Sequence, residues 1–189
     1  MLSPTLSRLI NVALYQLGWF SCVLGAAWGR PLTGALLALL LLATHLLLAS
    51  ERGAELRLML CTCLLGVGID SSQQALGLFR FTADPAWPLW LPLWVFVIWA
   101  QFATLFRYAL FWLSGRPLLA AVFGLLGGPL AYGAGVRLGA AQFGDNLAAS
   151  LLSLALVWAL LTPLLLWLSA RIEPRPGLYR FLFRNGDES

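Results

Sequence analysis

The sequence contains no lysine and only one histidine, His45. Without lysine, the chain cannot form a Schiff base with retinal or pyridoxal phosphate, and it has no Walker-type phosphate loop. A single histidine excludes histidine-rich di-iron sites and the HExxH zinc motif. The cysteines form no CxxC pair, and Cys61 and Cys63 point to different sides of a helix, so we interpret the cysteines as packing residues. We therefore expect no metal and no cofactor.

Charge is also scarce, because only 11% of the 189 residues are charged whereas 60% are hydrophobic. Soluble domains have about a quarter of their residues charged. Several apolar runs exceed the about 20 residues that cross a bilayer. The composition predicts an all-α, polytopic membrane bundle over 1–170, followed by a cytoplasmic tail at 171–189. We attribute the net charge of +4 to membrane topology rather than to nucleic-acid binding.

Six apolar segments are predicted to span the membrane, at 9–28, 32–49, 56–79, 89–112, 118–140 and 147–169. The arginines are distributed unevenly between the two predicted sides. One side carries Arg8, Arg52, Arg57, Arg107, Arg116, Arg171, Arg175, Arg180 and Arg184. The opposite side carries only Arg30, Arg80 and Arg137. Because cytoplasmic loops are enriched in positive charge, this bias predicts that both termini are cytoplasmic.

The third predicted helix contains a carboxylate, Asp70, in a segment that should lie in lipid. Gln73 and Gln74 follow at spacings that place them on the same helix face. Gly66 and Gly77 extend this face with positions where another helix can approach closely. A carboxylate at this depth costs roughly 2.5–3.5 kcal/mol unless it faces protein or water. The rest of the fold is therefore expected to bury this face.

Other helices are predicted to bring polar groups to a similar depth, namely Gln16, Gln101 and a break at Pro129. Such convergence favours an intramembrane site for ligand binding or proton handling, to which we also assign Tyr132. We expect Arg137, or else Arg80, to be the counter-charge of Asp70. For the glutamines we favour a second interpretation, which is that they form hydrogen bonds across helices and hold the bundle in register. For Asp70 we favour a functional role, and we interpret His45 as a packing residue.

The fifth predicted helix carries a stripe of small residues: Gly124, Gly128, Ala131, Gly135 and Gly139. Such a stripe favours close helix packing, within the chain or in a homodimer. Pro129 should kink or interrupt this helix. In the tail, aromatic and basic residues alternate, and we expect them to lie among lipid headgroups: Tyr179, Phe181 and Phe183 with Arg175, Arg180 and Arg184.

Several motifs resemble one family of small bacterial inner-membrane proteins, which is known as a domain of unknown function. They are YQLGWF at 15–20 followed by Cys22, GIDS at 68–71, PLW at 92–94 and GGPLAYGAG at 127–135. The resemblance extends from Asn11 to about Trp167. It implies a location in the bacterial inner membrane and genes that often lie near those of enzymes that modify fatty-acyl chains, but no established activity. It implies no catalytic residues.

The sequence therefore leaves three hypotheses open. The first is a protein that binds, moves or presents a lipid or other amphiphile around Asp70, with membrane lipids and a homo-oligomer or another membrane protein as partners. The second is a small proton-coupled transporter in which Asp70 titrates. The third is a membrane enzyme or accessory subunit in fatty-acyl or lipid modification, and no nucleophile–base pair, metal-ligand set or cofactor motif supports it.

Overall fold

Residues 1–180 are described by a computed structural model, and they form six α-helices, one 3₁₀ turn and two short strands. The helices are α1 (Pro4–Ala27), α2 (Pro31–Leu48), α3 (Arg52–Ala75), α4 (Leu93–Leu105), α5 (Pro117–Arg137) and α6 (Leu147–Ile172). The strands are β1 (Phe79–Phe81) and β2 (Ala141–Phe143). The predicted all-α class is confirmed. The tail residues Phe181, Phe183 and Arg184 lie outside the described residues.

Helix starts follow ordinary capping chemistry. The Ser3 hydroxyl accepts a hydrogen bond from the Leu6 amide at 3.2 Å, so α1 begins earlier than the predicted residue 9. The Asn146 side chain accepts one from the Ala149 amide at 3.0 Å at the start of α6. Proline occupies the first turns of α1, α2 and α5, where a missing amide proton costs nothing.

Four helices within residues 1–180, namely α1, α2, α5 and α6, are long and apolar enough to cross a membrane. Helix α3 has 24 residues, about 36 Å, but it is more polar because it contains Arg52, Glu55, Arg57 and Asp70. Helix α4 has only 13 residues, about 20 Å, which is shorter than a hydrocarbon core of about 30 Å. The sequence predicted a fourth helix over 89–112, so α4 differs most from expectation.

The buried side chain of Asn11 explains why α4 ends early. Its Nδ2 donates to the Thr104 carbonyl at 3.4 Å, and its Oδ1 accepts from the Ala109 amide at 3.4 Å. In a continuing helix these two main-chain groups would bond to main-chain partners one turn away. Because Asn11 satisfies them instead, the chain can leave the helix at Leu105 without burying unpaired groups.

Helix α3 ends before the predicted residue 79 because Gly77 adopts a left-handed conformation, with φ of 69°. The amide of Gly77 bonds to the Gln74 carbonyl at 3.0 Å and that of Leu78 to the Gln73 carbonyl at 2.9 Å. Glycine commonly adopts a left-handed conformation at the end of a helix. Gly77 therefore ends α3, and the expectation that it extends the packing face of Asp70 is wrong. The chain then enters β1, which pairs antiparallel with β2.

Helix α4 is the centre of the bundle and packs against α1, α2 and α3, while α5 packs against α6. Within the described residues, Tyr179 joins the two ends of the chain, since its carbonyl accepts from the Leu2 amide at 2.8 Å. The loop between α2 and α3 meets the same segment, through a bond of 3.0 Å from the Ser50 amide to the Leu178 carbonyl. Both ends of this part of the chain therefore lie at one end of the bundle.

The outer surface of the helices is apolar rather than polar. Large side chains on all four long apolar helices are exposed, among them Leu9, Leu40, Leu130 and Leu160, at 63%, 65%, 72% and 76%. Exposed apolar area on this scale indicates a surface in contact with something other than water. The structure and composition together describe a membrane-embedded protein.

Candidate functional site

Asp70 is buried, with 2% of its surface exposed, and two neutral donors bind its carboxylate. The Trp99 indole Nε1 of α4 donates to Oδ2 at 2.7 Å, and the Tyr132 hydroxyl of α5 donates to Oδ1 at 2.6 Å. Three helices thus meet at one carboxyl group. Hydrogen bonds to a charged acceptor partly offset the cost of burying it.

The expectation that Arg137 or Arg80 is the counter-charge of Asp70 is wrong. Arg137 and Arg80 are both exposed, and neither pairs with Asp70. Within residues 1–180, Asp70 has no ion-pair partner. The donors that it does have, an indole and a phenol, carry no charge, so the protein supplies dipoles here rather than a cation.

Small residues allow the aromatic rings to surround Asp70. A methyl group added to Gly66 would overlap the Trp99 indole, and one added to Gly128 would overlap the Trp158 indole. The two indoles stack, with centroids 5.4 Å apart and an angle of 11° between their planes. The glycine-rich face of α5 therefore packs within the chain, where Gly124 and Gly128 admit Trp158 of α6.

A cavity of about 70 Å³ adjoins the carboxylate. Its walls are mainly aromatic and come from α1, α3, α4, α5, α6 and the β1–β2 ribbon. Gly135 borders it, and a methyl group there would meet no atom within 4 Å. Two polar atoms of the lining residues, Trp94 Nε1 and Trp158 Nε1, have no hydrogen-bond partner among residues 1–180. The cavity therefore offers an acceptor at Asp70 and unused donors at Trp94 and Trp158.

A groove of about 440 Å³ lies between α1 and α5, beside this cavity. It exists because α1 packs on α2 and α4 while α5 packs on α6, which leaves the two helices apart. Groove and cavity share five lining residues: Tyr15, Trp19, Phe102, Ala131 and Trp158. The Thr162 hydroxyl in the groove has no partner among residues 1–180.

The glutamines do not gather at Asp70. Gln73 exchanges hydrogen bonds with the Ser153 hydroxyl of α6 at 2.9 and 3.1 Å. Gln74 donates to the Trp90 carbonyl at 3.1 Å. Gln101 donates to the Ala38 carbonyl of α2 at 2.9 Å, and Gln16 is exposed at the groove. Gln73 and Gln101 therefore form hydrogen bonds across helices, as the second interpretation of the glutamines predicts.

Helix α5 continues through Pro129, so the predicted interruption does not occur. The walls of the cavity were not predicted from the sequence. Trp99, which donates to Asp70, occurs in the middle of an apolar segment, away from the membrane interface where tryptophan is usual. A tryptophan at such a depth needs a partner for its N–H group, and that was the available signal.

A second buried polar cluster, which was not predicted from the sequence, lies at the end of the bundle that holds Leu2 and Tyr179. Arg107 Nη1 donates to Glu55 Oε1 at 2.6 Å, and His45 Nε2 lies 3.2 Å from Glu55 Oε2. The Tyr179 hydroxyl lies 2.7 Å from His45 Nδ1. These four side chains are at most 2% exposed. The cluster joins α2, α3, the end of α4 and the segment after α6.

A neutral His45 that carries its proton on Nε2 satisfies both contacts, because it donates to Glu55 and accepts from Tyr179. Burial raises the pKa of the Tyr179 hydroxyl, so Tyr179 remains a donor. His45 is therefore a packing residue with satisfied polar atoms. Tyr179 is fully buried, so the expectation that it lies among lipid headgroups is wrong.

Within residues 1–180, no three histidine, cysteine, aspartate or glutamate side chains are grouped so that they could hold a metal ion. No curated protein and no solved structure matches the chain. Residues 8–164 match a family model described as Protein of unknown function (DUF2878). That match covers most of the chain and agrees with the resemblance seen in the sequence, so the chain belongs to this family of unknown function.

Proposed function

We propose that the protein binds, moves or presents a lipid or other amphiphile in the inner membrane of a bacterium, with Asp70 at the polar end of the site. The observation that carries this proposal is the groove between α1 and α5, which shares its walls with the Asp70 cavity. The groove borders exposed apolar surface, so a molecule in the bilayer can reach it sideways. Its volume of about 440 Å³ is in the range of sites for small organic ligands.

The chemistry of the walls defines the ligand class. The groove suits a hydrocarbon chain, because apolar side chains and glycines line most of it. At the cavity, the Asp70 carboxylate accepts hydrogen bonds and Trp94 Nε1 can donate one. A hydroxyl at the head of the chain complements both atoms, because it can donate to Asp70 and accept from Trp94 Nε1.

Native mass spectrometry of the full chain tests this proposal, by comparing lipids retained by wild type and by Asp70→Asn. Asparagine can keep both contacts, since its oxygen accepts from Trp99 and its amide donates to the Tyr132 oxygen, so the change removes mainly the charge. Asp145→Asn makes the same change at an exposed loop position and is the control. We expect a discrete lipid on wild type and on the control that Asp70→Asn loses. Equal retention by all three proteins would contradict a role for Asp70.

Gly127→Leu tests the groove independently of Asp70. Gly127 borders the groove, and its nearest side-chain neighbour is 4.0 Å from an added methyl group, so leucine fills the groove without disturbing helix packing. Gly68→Leu is the control, because Gly68 is an exposed helical glycine on α3 with no atom within 4 Å of an added methyl group. We expect loss of the lipid in Gly127→Leu only. Retention in both variants would place the ligand outside the groove.

A proton-coupled transporter is the second candidate, because Asp70 is buried without an ion-pair partner among residues 1–180. A carboxylate in that position can change protonation as a substrate passes. In vesicles that contain a pH-sensitive dye, movement of the retained lipid would then change internal pH with wild type and not with Asp70→Asn. The enzyme hypothesis predicts instead that a retained lipid acquires a covalent change during incubation, visible as a mass shift.

The proposal includes six membrane spans with both termini in the cytoplasm. The contacts of Tyr179 with Leu2 and of Leu178 with Ser50 support a common side for these segments. Arg107 is buried against Glu55 and is no free surface charge, but the arginine imbalance persists without it. A cysteine introduced at Asp145 should react with an impermeant maleimide in intact spheroplasts, whereas one at Glu173 should react only after lysis. The reverse pattern would invert the topology.

A further inference from the structure

A third pocket, of about 420 Å³, opens between the end of α3, β1 and the segment that leads into α4. We call it the vestibule. It is lined by nine residues: Gln74, Arg80, Phe81, Ala83, Asp84, Trp87, Leu89, Trp90 and Pro92. It lies at the end of the bundle opposite the termini, and it shares only Phe81 with the walls of the Asp70 cavity.

The vestibule contains a carboxylate oxygen that the fold does not use. Asp84 is 8% exposed, and its Oδ1 accepts from the Ala86 amide at 3.0 Å. Its Oδ2 is buried and has no hydrogen-bond partner among residues 1–180. A buried polar atom without a partner carries a desolvation cost that a ligand can remove.

Two donors in the vestibule are also unused. Arg80 is exposed, and its guanidinium forms no hydrogen bond or ion pair with any of residues 1–180. Trp87 Nε1 is buried and likewise unpartnered within that range. Trp90, by contrast, is held in place, because its Nε1 donates to the Ser71 hydroxyl at 2.7 Å and its carbonyl accepts from Gln74 at 3.1 Å.

The vestibule therefore presents three unused groups. They are the negatively charged acceptor Asp84, the cationic donor Arg80 and the indole N–H of Trp87. A ligand that complements all three carries a protonated amine and a phosphate. The ammonium group would donate to Asp84 Oδ2, and the phosphate would accept from Arg80 and Trp87.

The rim of the vestibule identifies the source of such a group. Leu89 and Trp90 are 45% and 60% exposed, next to the apolar helix surface. Tryptophan and arginine at the end of an apolar bundle occupy the headgroup level of a bilayer. We propose that the vestibule binds the phosphoethanolamine headgroup of a membrane phospholipid. This site is separate from the one proposed at Asp70 and stands without it.

The test titrates the detergent-purified full chain with short-chain phosphatidylethanolamine, phosphatidylglycerol and phosphatidylcholine, and it counts bound lipid by native mass spectrometry. We expect phosphatidylethanolamine to bind about tenfold more tightly than phosphatidylcholine, whose quaternary ammonium cannot donate to Asp84. Equal affinity for the three lipids would overturn the proposal. A preference for phosphatidylcholine would also overturn it, since it would assign the ammonium to the indole faces.

Variants assign the two halves of the headgroup. Asp84→Asn keeps the oxygen that caps Ala86 and removes the charge, so it should abolish the preference for phosphatidylethanolamine and leave phosphatidylglycerol binding unchanged. Arg80→Gln should weaken both lipids about tenfold, and Arg137→Gln, at another exposed arginine, should weaken neither. Trp87→Phe, which removes only the indole N–H, should weaken both lipids as well. A preference that survives Asp84→Asn would refute the assignment of the ammonium.

Two further measurements separate this site from its alternatives. Free phosphoethanolamine should bind much more weakly than the lipid, because it lacks the chains that contact the apolar rim. Equal affinity would support the same headgroup contacts but would show that the ligand is a soluble molecule and not a lipid. The headgroup preference should persist in Asp70→Asn. Loss of the preference in that variant would show that the Asp70 site, and not the vestibule, selects the headgroup.

Discussion

Replacing Arg107 with glutamine should destabilise the protein strongly. Arg107 is 1% exposed and Glu55 is fully buried, and their charged atoms lie 2.6 Å apart. Removing one partner of a buried ion pair leaves an uncompensated charge and costs about 3–5 kcal/mol. Two nitrogens of Arg107, Nε and Nη2, have no partner among residues 1–180, so the native pair already bears some desolvation cost. We therefore expect a loss of about 3 kcal/mol, at the lower end of that range.

The assay is reversible unfolding in mixed micelles by titration with dodecyl sulfate, followed by tryptophan fluorescence. The double variant Glu55→Gln/Arg107→Gln should recover most of the loss of Arg107→Gln, because no buried charge remains unpaired. Arg116→Gln is the control, since Arg116 is exposed and its change should stay within about 0.5 kcal/mol. If the two single changes are additive in the double variant, Glu55 and Arg107 do not act as a pair and the reasoning fails.

Four other changes test the packing of the bundle by the same unfolding measurement. Gly128→Ala should cost about 1–3 kcal/mol because its methyl group overlaps an indole of α6, whereas Gly135→Ala, which meets no atom within 4 Å, should cost nothing measurable. Asn11→Ala should cost about 1–3 kcal/mol, because it leaves two buried main-chain groups at the end of α4 unpaired. Tyr132→Phe should cost about 1.5–3 kcal/mol if Asp70 is ionised, and much less in an Asp70→Asn background. Equal effects of the two glycine changes, or of Tyr132→Phe in both backgrounds, would contradict the contacts described.

The number and order of the helices followed from hydropathy and turn chemistry, because long apolar runs separated by glycine, proline and charge leave little choice. The end of α4 could not be found in this way. It depends on Asn11, which is remote in sequence and substitutes for main-chain bonds. A side chain on one helix that replaces main-chain hydrogen-bond partners in another helix leaves no signal in the sequence of the helix that it ends.

The candidate site was predicted in part. Asp70 was identified because a carboxylate in an apolar segment is costly, and Tyr132 is indeed bonded to it. Its other partner, Trp99, was missed because tryptophan is usual at the membrane interface, whereas Trp99 lies in the middle of an apolar segment. Depth alone also grouped Gln101 with Asp70, although Gln101 turns toward α2. The depth of a residue in the membrane does not indicate how its helix is rotated about its axis, so it does not indicate which neighbouring helix the side chain contacts.

The pair of Glu55 and Arg107 was also not predictable from the sequence. Arg107 was counted as a charge at the membrane surface, and a surface charge needs no specific partner. The segment 177–180, which is far away in sequence, packs against the same cluster, through the Tyr179 hydroxyl at His45 and the Gly177 amide at the Arg107 carbonyl. Loop charges can be assigned to a side of the membrane from sequence, but their pairing requires the tertiary structure.

The position of Tyr179 has a consequence for how the chain reaches its final form. Its ring stacks on Tyr108 at 4.7 Å, and its hydroxyl reaches His45, while its amide bonds to the Ser7 hydroxyl at 3.2 Å. Helix α6 must be in place before this residue can reach its site, so the charged cluster is sealed after the last helix has entered the bundle. A polypeptide that has inserted every helix but has not docked Tyr179 still lacks the hydroxyl partner of His45, so this contact forms only in the completely assembled bundle.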